Sequence, residues 1–316
     1  MILHSLVRDA DVFLTNLRKS SKPRFGFEYS ELSKVNPEII HVNINGFGPN
    51  GSMSDVGGFD PMGQAISGMM YITGSDEPVL LQTIILDQMT AITASHAMLT
   101  ALLYRERYGI GQEVHVSLYG SAIWMMHANL LTTSVLKQNI QVKWDRAKNP
   151  ALRNSYKCRD GKWIMGTNHP DSKYWPAFCQ AIEKEELIGD PSFASAEMRL
   201  SNMAELVSLL DEIMATKDRA EWLSILQAAG LLFAPVQELS DVLDDPQALI
   251  NGYIIDYDHP LLGKIRIPGY PASFSANVVG PHSPAPELGE HTTSVLAELG
   301  YSQLTLEELQ AANIIK

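Results

Sequence analysis

Three short strand-like segments constrain this chain more than any other feature. Val12-Phe13-Leu14 and Ile39 to Ile44 are short apolar runs, and Gln112 to Leu118 alternates polar and apolar as a strand does. Stretches with helical spacing separate them. Strands joined by helical crossovers form a parallel sheet with helices on its faces. Such sheets bind ligands at the carboxyl ends of their strands. The loops after these runs, Asn16 to Pro23 and Gly46-Phe47-Gly48-Pro49-Asn50-Gly51, are therefore the first places to look for a site. The fold class expected is α/β.

Between the second and third strands the spacing predicts a short helix over Asp60 to Met70. A long amphipathic helix then opens at Asp87 and ends near Tyr108-Gly109. Ser121 to Leu136 reads as another apolar helix. Residues 137–150 are polar and irregular and read as a linker. Tyr156 to Cys158 and Lys162 to Gly166 read as a hairpin across Arg159-Asp160-Gly161. Helices are expected at Ala204 to Thr216 and Ala220 to Ala229, a strand at Lys264 to Pro268, and a Pro-rich return from Gly269 to Pro286. Helices at Thr292 to Leu299 and Thr305 to Ala312 close the chain. The 316 residues suggest two domains. The division expected is a large domain over 1–136, the linker 137–150, a small domain over 151–242, a second linker over 243–275, and a return to the large domain over 276–316.

The formal charge of −12 excludes a general nucleic-acid surface. One local basic patch, Arg18, Lys19, Lys22 and Arg24, is either a solvated loop or an anion site. No apolar run approaches the ~18 residues of a membrane span, and no secretory signal pattern is visible. The two cysteines, Cys158 and Cys179, are too few for a disulfide framework. A cytoplasmic location is expected. No metal-ligating constellation, serine elbow or phosphate-loop motif is present.

Asp87 is the residue that stands out. It follows Ile84-Ile85-Leu86, where a carboxylate is costly unless satisfied. A helix start satisfies it through free backbone N–H groups. That position is compatible with capping alone and with chemistry.

Taken in order, these segments resemble the family III CoA-transferases, also called the CaiB/BaiF family. The resemblance is carried by Ala10 to Arg18, Arg24 to Leu32, Asn36 to Ile40, Gly46 to Gly51, Gly58-Phe59-Asp60, Gly109 to Ser117, Tyr156 to Trp163 and Leu288 to Thr292. It implies a Rossmann-like large domain, a smaller α+β domain and a homodimer of interlocked rings. It implies transfer of coenzyme A from an acyl-CoA to a carboxylic acid through acyl bonds to Asp87, with backbone N–H groups near Asp87, Gln88 among them, as oxyanion donors. Asn16, Leu17, Arg24, Phe25 and Leu118 fall at its coenzyme A contacts, and Arg18 joins them on charge grounds. No prosthetic group and no metal are implied. Coenzyme A is a substrate, and neither nucleic acid nor membrane is a partner.

The match begins mid-domain. Typical members carry a leading segment of on the order of 80 residues, about two βα units and a strand. Its absence would leave an exposed sheet edge and an incomplete coenzyme A site, so an impaired, truncated member is one alternative. A 2-methylacyl-CoA racemase is the other, disfavoured because Phe59 stands where that branch has a histidine. The glycine-rich lid of the formyl-CoA branch has no counterpart between Lys137 and Tyr156, which points to an acid larger than oxalate or formate.

Overall fold

The computed structural model of the protein describes residues 2–139, 144–280 and 283–315. Residues 140–143 of the expected first linker and 281–282 of the Pro-rich return lie outside the described residues. The chain divides into one unit formed by Met1–Lys143 and Glu287–Lys316 and another formed by Trp144–Pro286.

The first unit is built on a parallel sheet of β1 (Val12–Thr15), β2 (Ile40–Asn45) and β3 (Gln112–Ser117), in the order β1-β2-β3. Its helices are α1 (Ile2–Arg8), α2 (Lys22–Phe25), α3 (Tyr29–Val35), α4 (Asp60–Ser67), α5 (Ile85–Tyr108), α6 (Leu118–Met125) and α7 (His127–Leu136). Alternation along β2 sends Ile40 and Val42 to one face, where they pack with Met98, Ala101 and Leu102 of α5. The other face carries His41, whose ring stacks on Phe13 at 5.2 Å, with α1 and α3 packing through Val7, Leu32 and Ile39 close by. The α/β class with a parallel sheet is as expected. β1 and β3 are the edges of the described sheet, and Leu14 of β1 is half-exposed.

Helix α5 differs from the expectation in two ways. It begins at Ile85, so Asp87 is its third residue. Its covered face is Leu86, Thr90, Ala94 and Ala101, whereas Ile92, Leu99 and Leu103, the larger apolar residues of an amphipathic reading, are exposed. Gly109, at φ +67°, ends it. The single apolar helix expected over Ser121 to Leu136 is two helices, broken at Met126.

The second unit contains the antiparallel sheet β4 (Ser155–Lys157), β5 (Trp163–Gly166) and β6 (Phe233–Val236). Helices α8 (Asp171–Ala181), α9 (Glu186–Gly189), α10 (Ala196–Ser201), α11 (Met203–Met214) and α12 (Arg219–Ala228) follow β5. Tyr156, Ile164, Trp175, Phe178, Leu206, Leu210 and Trp222 are among the residues of its core. Two of its buried polar groups are paired: Tyr156 Oη donates to the Ala151 carbonyl and Trp222 Nε1 to that of Met214, both at 2.8 Å. Helices α13 (Leu239–Leu243) and α14 (Pro246–Ile250) lead to a hairpin of β7 (Ile254–His259) and β8 (Gly263–Pro268). Of this hairpin the sequence reading has only the second strand, and it lacks β6. Helices α15 (Thr292–Glu298) and α16 (Gln303–Ala311) belong to the first unit. Among the described residues no helix is long and apolar enough to cross a membrane.

Candidate active site

The loops after β1, β2 and β3 are tied together at the carboxyl end of the sheet. The Ser20 N–H donates to Asp55 Oδ1 at 2.8 Å, Lys19 Nζ to the Pro49 carbonyl at 3.3 Å, and the Tyr119 N–H to the Gly46 carbonyl at 3.0 Å. Glycine permits this closeness. A Cβ on Gly58 would stand 2.7 Å from Gly46 Cα, so the two ends of the β2 loop meet backbone to backbone.

That contact delivers the chain to α4, which begins at Asp60. Asp60 is 4% exposed, and its carboxylate is fully engaged. Oδ2 accepts the N–H groups of Leu86 at 2.6 Å and Asp87 at 3.2 Å, and Oδ1 accepts Gln64 Nε2 at 2.6 Å. Asp60 therefore satisfies the free first-turn donors of α5, across 26 residues of chain. Gln64 accepts the Leu81 N–H at 3.0 Å and so ties the segment before α5 to the same point. The absence of a side chain at Gly63 lets α4 approach Leu86 and Leu118.

Asp87 is thereby relieved of capping. Its side chain is exposed, with no hydrogen-bond or ion-pair partner among the described residues. Burial first, and then the neighbouring Asp60 carboxylate, raise its carboxyl above the ordinary aspartate value. Asp87 therefore does not cap α5, contrary to what its place after the apolar run led one to expect. The oxyanion donors also need correction. The Gln88 N–H donates to the Ile84 carbonyl at 3.0 Å, and those of Leu86 and Asp87 are taken by Asp60. An open cleft of about 400 Å³ lies beside this junction, lined by Asp60, Pro61 and Leu80 to Ile84.

The residues expected to contact coenzyme A fall into two places. Asn16, Leu17, Arg18, Arg24 and Phe25 gather after the carboxyl end of β1. There the Arg18 guanidinium lies against Gly57, and the Arg24 guanidinium lies 5.7 Å from the half-exposed Phe25 ring. Leu118 is elsewhere, 6% exposed at the start of α6 and packed in the cluster that holds Leu86. Of the basic patch, Lys19 and Lys22 line a cleft of about 390 Å³ together with Leu17, His115 and the acidic Glu28 and Glu113. Lys22 bonds to Asn43, which in turn donates to Glu113 at 2.9 Å. Burial lowers the Lys22 pKa.

Asp60 is the functional residue that sequence reasoning missed. Its signal was present in Gly57-Gly58-Phe59-Asp60-Pro61, an acidic residue before a helix-starting proline. The sequence does not indicate that the helix it caps is α5.

The profile of CoA-transferase family III matches residues 1–292. Succinyl-CoA:glutarate CoA-transferase of Mus musculus is 29% identical over 319 aligned residues, covering all of this chain and 72% of that protein. (R)-2-hydroxy-4-methylpentanoate CoA-transferase of Clostridioides difficile is 28% identical, covering all of this chain and 79% of its own length. A crystal structure of a CaiB/BaiF family protein from Brucella suis superposes with a TM-score of 0.84 at 26% identity, over 94% of this chain and 78% of that one. The protein, with its parallel sheet and its free carboxylate at the start of α5, is a member of CoA-transferase family III.

Proposed function

We propose that Asp87 is the nucleophile through which this enzyme moves coenzyme A from an acyl-CoA to a carboxylic acid. The observation that carries the reading is the free Asp87 carboxylate at a helix start already capped by Asp60. An Asp87 oxygen attacks the donor thioester carbon, expelling coenzyme A thiolate and leaving a mixed anhydride. The thiolate attacks the Asp87 carbonyl carbon, releasing the donor acid and leaving an aspartyl-CoA thioester. The acceptor carboxylate attacks that carbon and expels the thiolate again. The thiolate then attacks the acceptor carbonyl, forming the new acyl-CoA and regenerating Asp87. Electrons and atoms balance with no redox partner.

Asn16, Leu17, Arg18, Arg24 and Phe25 are proposed to hold coenzyme A at the carboxyl end of β1, with guanidinium groups on its phosphates. Leu118 shapes the floor beneath the thioester end. The glycine-rich lid of the formyl-CoA branch has no counterpart in the sequence between Lys137 and Tyr156, so the substrate class proposed is a carboxylic acid larger than formate or oxalate. A homodimer and a cytoplasmic location complete the reading. A histidine-dependent racemase does not fit, because Phe59 has no proton to transfer.

The test is to incubate the chain with a panel of acyl-CoA donors, quench it and weigh the peptides. A hydroxylamine-sensitive adduct is expected on the peptide holding Asp87, absent in Asp87→Asn, with turnover reduced by at least about 10³-fold. An adduct that survives in Asp87→Asn, or maps to another peptide, refutes the assignment.

A further inference from the structure

A second constellation lies in the unit Trp144–Pro286, around a pocket of about 290 Å³. Arg199 lines it while being only 2% exposed. Its Nε donates to Asp171 Oδ2 at 2.7 Å, its Nη1 to the Phe193 carbonyl at 2.6 Å, and its Nη2 pairs with Asp171. The guanidinium also lies 4.6 Å from the Trp175 ring. A guanidinium has N–H donors beyond these contacts, and that of Arg199 makes no further hydrogen bond to the described residues. Arg153 and His169 stand exposed in the same lining, and neither side chain has a hydrogen-bond or ion-pair partner among the described residues.

Asp171 pairs with Arg199 through Oδ2, so that pair carries no net charge. Arg153 has no acidic partner among the described residues and leaves the pocket positive, so the complementary ligand is an anion. Apart from Ser172 the remaining walls are apolar, with Pro170, Leu200 and the buried Met203 among them. A multiply charged, strongly hydrated anion would lose its water against such walls without repayment. A planar carboxylate matches a guanidinium in a bidentate way and brings one charge. The volume is at the small end for ligand sites, which excludes a nucleotide.

We propose that this pocket binds a small carboxylic acid, its carboxylate on Arg153 and Arg199 with His169 at the rim, and its apolar body on Leu200 and Met203. The site is independent of the assignment of Asp87. It gives an enzyme of carboxylic acids a second place where such an acid is sensed or held.

The probe is hexanoate, with neutral hexanamide as control, added to the full chain carrying ¹³C-methyl methionine; Met203→Leu assigns the Met203 signal. Hexanoate is expected to shift the Met203 methyl saturably, and hexanamide at least tenfold more weakly. Arg153→Gln is expected to weaken hexanoate at least tenfold, and Leu200→Asp, also at an exposed position, to abolish the shift. Asp87→Asn should bind as the parent does. An unmoved Met203 methyl through the millimolar range, equal binding of hexanamide, undiminished binding in Arg153→Gln, or loss in Asp87→Asn would each overturn the proposal.

Discussion

Asp60 and Asp87 divide between them two tasks that one carboxylate cannot do at once. A carboxylate accepting several backbone N–H groups is well stabilised but a poor nucleophile, since its lone pairs are engaged. Asp60 takes the Leu86 and Asp87 donors and leaves the Asp87 oxygens open. The consequence is electrostatic. A second negative charge nearby, added to desolvation, raises the Asp87 pKa. The charged group that acts on it is Asp60 at the start of α4, and β2 and β3 face α5 with Ile40, Val42 and Val114. A folded-state pKa above the unfolded value means the fold favours the protonated form. That stability is fully present below the unfolded pKa and is lost as pH rises through the folded one. Catalysis has the opposite sign, because the nucleophile is the ionised form. The rate through Asp87 is expected to rise with pH across its raised pKa. Asp60→Asn keeps an acceptor for the two N–H groups and removes the charge. Its acid limb, and the ¹³C titration of the Asp87 carboxyl, should both move to lower pH. An unmoved titration would show that Asp60 does not tune Asp87.

At the scale of elements, the site is a junction of three helices set by close backbone contacts. Gly46 and Gly58 bring the β2 loop back on itself, α4 leaves from that point, and Asp60 fixes α5 to it. Gly58→Ala would place a Cβ 2.7 Å from Gly46 Cα, a backbone atom that cannot rotate away. The expected cost is about 1–3 kcal/mol of stability, as for overpacking elsewhere, together with a slower acyl-transfer step. Gly189→Ala, where an added Cβ meets nothing within 4 Å, is the control and should change neither. Melting temperature and the rate of Asp87 adduct formation measure the two effects. The same junction explains what the sequence made legible. β1, β2, β3 and the α12 segment are local features, carried by apolar runs, alternation and helical spacing. The start of α5 was misplaced by two residues because its cap comes from another helix, and no local pattern records that. β6 escaped notice because Pro235 interrupts it, which an edge strand tolerates. β7 was missed because Asp256 and Asp258 in Ile254–His259 read as loop.

At the scale of the whole molecule, the helices around the sheet have two apolar faces where one would suffice. α5 buries Leu86, Ala94 and Ala101 inward, yet presents Ile92, Leu99 and Leu103 outward at helical spacing, with Leu99 67% exposed. α6 and α7 add Trp124 and Val135, each 70% exposed. A helix apolar all round belongs in an interior, and a contiguous apolar patch marks an interface. The proposed homodimer supplies the cover. Two copies carrying −12 each repel at long range, but that repulsion is screened over about 10 Å at 0.1 M salt, whereas apolar burial is not weakened by salt. Association should therefore tighten as salt rises, the reverse of an ion-paired interface. Light scattering behind size exclusion is expected to give a dimer at micromolar concentration. The double variant Leu99→Glu with Trp124→Glu should run as a folded monomer. A wild-type monomer at every salt concentration would mean that a second copy does not cover this face.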